Sequence, residues 1–192
     1  FLRVGCVFPY EDDIMTFKKI LVAIDRSLQG ASVLENALEQ GTQSGAELVF
    51  LHVIRRPSEL QTGPFMGIGT IADIDTYSSL RRFQREQEQR ELEKAQEWLQ
   101  EYIQMAEARG IKATSDCRIG EPSLEICMTA QTWGADLIVL GRRGYQGLSE
   151  IVLGSVSNYV LHHAPCAVLV VQSAAQSSEE STGSTVGTGA TR

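Results

Sequence analysis

The sequence contains no hydrophobic run approaching the ~20 residues that a transmembrane helix requires, so no membrane partner is expected. It also lacks an excess of basic residues, since the formal net charge is −7 and the isoelectric point is about 5.0. A chain of that charge repels a phosphate backbone, so no nucleic-acid partner is expected either. The sequence therefore indicates an acidic globular protein. Its 192 residues are enough for one domain with its own core.

Cysteine is also scarce. The four cysteines are Cys6, Cys117, Cys127 and Cys166, and they show neither the spacing of a metal site nor that of a disulfide framework. We therefore expect buried, reduced thiols in a cytoplasmic protein. A redox sensor acting through Cys117 or Cys166 is the less favoured interpretation, because a buried thiol ionises poorly.

The two ends of the sequence differ from the part between them. Residues 1–14 have no initiator methionine and include three consecutive acidic residues, so we interpret them as a non-native or upstream extension, with the natural start at Met15. Residues 173–192 are mainly Ser, Thr, Gly and Ala, which predicts a disordered tail. Residues 15–172 form the single predicted domain.

Apolar runs alternate with helical patterns along this domain. Strands are predicted over residues 17–25, 47–54, 111–119, 136–140 and 166–171. Helices are predicted over residues 27–44, 75–109, 122–133 and 156–162, the second of them beginning with a cap at Asp75 or Thr76 and having a solvated, charged first half. Continuous apolar strands separated by helices indicate a parallel sheet covered on both faces. In such a sheet a ligand lies beyond the carboxyl ends of the strands, where the strand order reverses.

The most informative motif is a glycine-rich segment after the fourth predicted strand. The segment consists of Gly141-Arg142-Arg143-Gly144 and, after nine further residues, Gly154-Ser155-Val156-Ser157. A strand that leads through such a loop into a helix can cradle a phosphate, because glycine lets the backbone approach an anion and the helix start has unpaired N–H groups. Ser155 and Ser157 would add hydroxyl donors.

Other candidates lie at the ends of the first two predicted strands. Asp25 could accept hydrogen bonds from ribose hydroxyls or a base amine, could cap the next helix, or could do both. Val53 could offer backbone groups and an apolar wall to a base. His52 faces the opposite side of the strand, so we interpret it as a packed core histidine rather than a catalyst. Arg142 and Arg143 either pair with a phosphate or are solvated surface arginines.

Two signatures of fast phosphoryl transfer are missing. Gly154-Ser155 is not preceded by the Gly-x-x-x-x-Gly-Lys pattern of a P-loop. No carboxylate pair is placed by a motif to hold Mg²⁺, although Asp25 or Glu150 could contact a metal once phosphates are bound. We therefore assign no catalytic and no metal-binding residue, and a committed kinase or ATPase is not expected.

These segments resemble the universal stress protein family over residues 16–172. The matching stretches are residues 18–25 (KKILVAID), 51–53 (LHV), 135–141 (ADLIVLG) and 163–171 (HAPCAVLVV). The spacing of Gly141-x-x-Gly144, nine residues and Gly154-Ser155 matches the motif of the family's ATP-binding branch. The resemblance implies an α/β fold, namely a single flavodoxin-like (Rossmann-like), doubly wound sheet of five parallel strands in the order 3-2-1-4-5, with helices on both faces.

The resemblance also implies a function. It implies a stress-response regulator that binds an adenine nucleotide, ATP or AMP, with or without Mg²⁺. It further implies a homodimer formed through the last strand, residues 166–171, with a protein partner that the sequence does not name. The alternative is a slow ATP hydrolase, or a protein that phosphorylates itself on Ser155. With the two loop arginines included, the candidate nucleotide-binding residues are Ala23, Asp25, Val53, Gly141, Arg142, Arg143, Gly144, Gly154, Ser155, Val156 and Ser157.

Overall fold

The computed structural model describes residues 16–27, 29–55, 71–142 and 153–172. Within these ranges the strands are β1 (Lys19–Ala23), β2 (Glu47–Arg55), β3 (Ala113–Gly120), β4 (Leu137–Gly141) and β5 (Ala167–Val171). The helices are α1 (Gly30–Ser44), α2 (Ile71–Ala108), α3 (Pro122–Trp133) and α4 (Ser155–His163). Each strand and helix predicted from the sequence is present, in the predicted order along the chain.

The five strands form one sheet in the order β3-β2-β1-β4-β5, and every neighbouring pair is parallel. This is the order that the family resemblance implied, and it is confirmed. The centre of the sheet is β1, where Ile20, Leu21 and Val22 are 0% exposed. The chain adds strands on one side of β1 and then on the other, so the strand order reverses between β1 and β4.

The helices cover both faces of the sheet, as predicted. Because side chains alternate along a strand, Ile20 and Val22 point to one face and Leu21 to the other. Ile20 and Val22 belong to a core that includes residues of α1 and α2, whereas Leu21 belongs to a second core that includes residues of α3 and α4. Two separate cores, one on each side of the sheet, define a doubly wound α/β domain.

Glycine and proline set several of the helix boundaries. Gly45 ends α1 and Gly134 ends α3, with φ angles of 67° and 71°, a region that L side chains rarely adopt. Their N–H groups donate to the carbonyl oxygens of Gly41 and Ala130, which leaves those two acceptors satisfied. Pro122 occupies the first turn of α3, where a missing N–H costs nothing.

Two helix starts differ from the prediction. Helix α1 begins at Gly30 rather than at residue 27, because residues 25–27 form a turn. Helix α2 begins at Ile71, so neither Asp75 nor Thr76 is its cap. No glycine or proline stands between residues 71 and 75, and nothing there prevents the helix from extending past its predicted cap.

The first half of α2 extends beyond the sheet. A helix of 38 residues is roughly 57 Å long, whereas the strands have five to nine residues. The first buried residue described in α2 is Ala95, and residues 81–86 are all exposed, as their charged composition predicted. Local side-chain pairs support this half, including Glu91 with Lys94 at 2.9 Å and Gln89 with Glu93 at 3.0 Å.

Candidate ligand site

A cleft of about 730 Å³ opens at the carboxyl ends of the strands. Its walls are the turn between β1 and α1, the end of β2, the first turn of α3, the end of β4 and the start of α4. The cleft therefore lies where the strand order reverses between β1 and β4, the position at which doubly wound sheets bind ligands.

The structure brings most of the predicted site residues together along this cleft. Nine of them line it: Ala23, Asp25, Val53, Gly141, Arg142, Gly154, Ser155, Val156 and Ser157. The other two, Arg143 and Gly144, lie outside the described residues. Residues separated by more than 130 positions in the sequence thus share one surface.

The turn after β1 holds Asp25 at the cleft. Its carboxylate oxygen Oδ1 accepts a hydrogen bond from the backbone N–H of Ser27 at 3.1 Å, which closes an Asx turn. The N-cap of α1 is Gln29, whose side chain makes no capping hydrogen bond. The predicted role of Asp25 as a helix cap is therefore wrong: the carboxylate stabilises the turn that precedes the helix.

The end of β4 approaches α1 closely at Gly141. A Cβ atom added to Gly141 would lie 3.1 Å from Cγ2 of Val33 and 3.4 Å from Oε1 of Gln29. A larger side chain would therefore displace Gln29 from the wall of the cleft. The sequence interpretation missed Gln29; the signal for it was its place in the β1–α1 turn, since such turns line the ligand crevice of a doubly wound sheet.

Arg142 connects the cleft to the end of β5. Its backbone N–H donates to the carbonyl of Val171 at 2.9 Å, and its Nη1 donates to Oε1 of Gln172 at 3.2 Å. The guanidinium is thus neither buried nor simply solvated. It lines the cleft while bonded to the residue that follows the last strand.

The start of α4 presents backbone N–H groups to the cleft. The first intrahelical bond runs from Asn158 N–H to the Gly154 carbonyl at 2.9 Å, so the N–H groups of Ser155, Val156 and Ser157 precede the helical ladder. The Ser157 side chain is 2% exposed, and its hydroxyl donates to the same Gly154 carbonyl at 3.0 Å. In this structure Ser157 therefore offers the cleft its backbone N–H, whereas its hydroxyl stabilises the helix start.

Charge is distributed unevenly around the cleft. The starts of α1, α3 and α4 all contribute lining residues, and helix N-termini carry partial positive charge. The carboxylates of Asp25 and Glu91 also line the cleft. Glu91 was missed, and the sequence gave no signal for it, because it reaches the cleft only through the extension of α2 past the strand ends. The arrangement favours a ligand that has an anionic group and several hydrogen-bond donors.

His52 is packed, as predicted. Its Nδ1 lies 2.9 Å from the carbonyl oxygen of Ile24, and its ring meets the Trp98 ring edge-on at a centroid distance of 5.0 Å. Trp98 in turn meets Tyr102 edge-on at 5.3 Å. Burial raises the pKa of the Tyr102 hydroxyl, and so do Glu101 and Asp25, whereas Arg26 lowers it.

The cysteines described by the structure are half-buried rather than buried, which corrects the expectation from the sequence. Burial raises the pKa of the Cys117 thiol to about 11, and the neighbouring Asp116 carboxylate raises it further. Burial is also the main cause that raises the pKa of Cys127 and Cys166. These three thiols are therefore protonated near neutral pH, which disfavours the redox-sensor interpretation.

Among residues 16–27, 29–55, 71–142 and 153–172, no group of three or more His, Cys, Asp or Glu side chains is placed to hold a metal ion. No helix in those ranges is long and apolar enough to span a membrane.

Strand order, two-sided helix packing and a ligand cleft at the reversal point define a doubly wound, flavodoxin-like α/β protein. The model of the universal stress protein family matches residues 16–172. The chain belongs to the universal stress protein family.

Individual relatives agree with this membership. The universal stress protein Sll1388 of Synechocystis sp. is 41% identical over 160 residues, which cover 82% of this chain and 99% of the relative. The solved structure of the protein MJ0577 superposes with a TM-score of 0.66 at 28% identity and covers 83% of this chain and 99% of its own. A solved universal stress protein in complex with cAMP shares the fold with a TM-score of 0.52 at 20% identity, covering 82% of this chain and 98% of its own.

Proposed function

We propose that this protein binds an adenine nucleotide, ATP or AMP, in the cleft and acts as a cytoplasmic stress-response regulator. The observation that carries the proposal is the convergence of the β1, β2 and β4 ends on the N-terminus of α4 around one cleft of about 730 Å³. The volume suits a ligand of nucleotide size. A related universal stress protein is known in complex with cAMP, which supports the ligand class.

The phosphates are assigned to the α4 end of the cleft. The N–H groups of Ser155, Val156 and Ser157 are directed there by the helix start, and the helix dipole favours an anion at that place. Gly141 leaves room for Gln29 in the wall of the cleft, and Arg142 supplies a cation. The predicted loop residues Arg143 and Gly144 complete this part of the proposal, although they lie outside the described residues.

The nucleoside is assigned to the ends of β1 and β2. The Asp25 carboxylate lines the cleft at the end of β1, and a carboxylate can accept hydrogen bonds from ribose hydroxyls. Val53 lines the cleft within β2 and packs on the core formed with α3 and α4, so it can give an adenine ring an apolar wall. Ala23, the last residue of β1, leaves room beside it.

The homodimer is assigned to β5. The sheet has two edge strands, β3 and β5. Strand β3 carries Asp116 and Arg118, which form an ion pair at 2.8 Å, and charged side chains on an edge discourage pairing with another chain. All five residues of β5, AVLVV, are apolar and bring no charge that would discourage pairing, so we assign the contact between copies to this edge.

The first experiment is to denature the purified protein, identify any released nucleotide by chromatography, and titrate the refolded or nucleotide-free protein with ATP·Mg²⁺ and with AMP by calorimetry. Release or saturable binding of either nucleotide is expected. Binding of AMP in preference to ATP would indicate a sensor of energy charge. If neither nucleotide is released or bound, the proposed function is wrong.

The same sample tests the alternative. Incubation with ATP, followed by measurement of ADP and phosphate and by mass spectrometry of Ser155, distinguishes a regulator from a slow hydrolase or an autophosphorylating protein. We expect ATP to remain intact over many binding lifetimes, because binding requires only the cleft, whereas turnover requires a positioned base and a metal set.

A further inference from the structure

We propose that His52 is a positioning residue for the nucleotide site: it holds the backbone before Asp25 in the conformation that presents the Asp25 carboxylate to the ligand. The inference rests on the proposed function, because it gives His52, which lines the same cleft, a role in nucleotide affinity. It goes beyond the interpretation of His52 as a packed core residue.

The backbone at Ile24 is fixed from both sides by β2. Strand β1 ends at Ala23, yet the Ile24 N–H donates to the Leu51 carbonyl at 3.0 Å. The Ile24 carbonyl then lies 2.9 Å from Nδ1 of His52. A carbonyl oxygen can only accept, so Nδ1 carries the hydrogen and donates it. The last peptide before Asp25 is therefore held at its oxygen by a side chain rather than by the sheet.

The His52 ring is itself held in place. It meets the Trp98 ring edge-on at 5.0 Å, and Trp98, on α2, is only 7% exposed. Two opposing elements thus fix one imidazole, with the sheet on one side and α2 on the other. A ring restrained in this way gives its Nδ1–H a single direction, which is what a positioning role requires.

His52 also joins the two strand ends that hold the nucleoside in the proposal. The residue after it in β2 is Val53, assigned to the adenine, and the residue after its hydrogen-bond partner Ile24 is Asp25, assigned to the ribose. The hydrogen bond between His52 and Ile24 therefore sets the spacing between these two contacts. If the bond is lost, the Ile24 carbonyl loses the restraint that His52 gives it, and we expect the Asx turn at Asp25 and Ser27 to shift relative to the ligand.

The test uses two substitutions at His52 and one at Asp25. His52→Leu keeps an apolar side chain against Trp98 but removes the donor. His52→Asn restores a donor, since its amide nitrogen occupies nearly the position of Nδ1. ATP affinity is measured by calorimetry for the wild type, H52L, H52N, D25A and the double variant D25A/H52L, and circular dichroism and thermal melting identify any variant that is not folded.

We expect H52L to bind ATP about fivefold to tenfold more weakly than the wild type, the loss given by one hydrogen bond, and H52N to recover most of that affinity. In the D25A background, H52L should cause no further loss, because the effect passes through Asp25. If H52L binds like the wild type, if H52N does not recover affinity, or if the losses from D25A and H52L simply multiply, His52 is not a positioning residue. A wild-type protein that binds no adenine nucleotide would instead refute the proposed function itself.

Discussion

Gly30→Ala is expected to damage the turn that presents Asp25. Gly30 begins α1, and a Cβ atom added there would lie 2.5 Å from the backbone carbonyl oxygen of Asp25. Real Cβ contacts are essentially never shorter than 3.0 Å, so the turn and the helix must separate by at least 0.5 Å. The obstacle is backbone rather than a side chain, and it cannot move without changing the Asx turn at Ser27.

Gly41→Ala is the matched control in the same helix. A Cβ on Gly41 would meet Cδ1 of Leu48 at 2.7 Å and Cδ1 of Ile111 at 3.2 Å, and both atoms are the ends of side chains rather than backbone. Substitution of Gly41, in the helix interior, gains up to about 1 kcal/mol of helix propensity, whereas Gly30 is the first residue of α1 and gains little. Overpacking against backbone costs about 1–3 kcal/mol. We therefore expect the free energy of unfolding to fall by about 1–3 kcal/mol for G30A and by less for G41A, where the propensity gain offsets part of the packing cost.

Urea unfolding followed by circular dichroism measures both stabilities, and calorimetric titration with ATP measures both affinities. G30A should also bind more weakly than G41A, because its strain falls on the turn that holds Asp25. If G30A unfolds at the same urea concentration as the wild type and binds ATP as well, the close approach of Gly30 to Asp25 does not shape the site, and the reasoning fails.

The remaining predictions concern the ligand, the dimer and the thiols. Asp25→Ala should weaken ATP binding by about 1–3 kcal/mol in calorimetry. An unchanged affinity would mean that the Asp25 carboxylate stabilises the turn but does not contact the nucleotide. Gly154→Val should abolish binding while the circular dichroism spectrum persists, and retained binding would exclude a phosphate at the start of α4. Ala167→Glu, on the exposed start of β5, should shift sedimentation towards the monomer, whereas Thr114→Glu on the β3 edge should not. Alkylation of Cys117 by iodoacetamide should be slow at pH 8 and should accelerate as the pH rises towards 11, because its raised pKa keeps the thiol protonated; rapid alkylation at pH 8 would contradict that burial.

Much of the fold could be predicted because its signals are local. Gly45 ended α1 and Pro122 began α3 as expected, since each residue type fits few backbone conformations. The helix starts were less predictable. Asp25 has the chemistry of a helix cap, but in the structure its carboxylate closes an Asx turn with Ser27 instead. The sequence around Asp25 is compatible with a cap and with an Asx turn, so it does not decide between them.

The residues that line the cleft were predictable where a motif marks them and not where packing brings them together. The glycine spacing predicted that Gly141 and Ser155 lie near each other, and both line the cleft. Gln29 and Glu91 carry no motif. Gln29 lines the cleft because Gly141 leaves space for it, and Glu91 because α2 continues past the sheet, so both depend on distances between elements that pattern alone does not give.

The unequal edges of the sheet limit how copies of the protein can assemble. In the proposed dimer, β5 would pair with its own copy about a twofold axis, and both ends of the resulting ten-stranded sheet would be charged β3 strands. Such edges discourage further pairing, so growth would stop at two molecules. Because the two β5 strands run in opposite directions, the carboxyl ends of the two sheets also point in opposite directions. The two clefts would open on opposite sides of the dimer, so one partner protein could sense the occupancy of only one of them at a time.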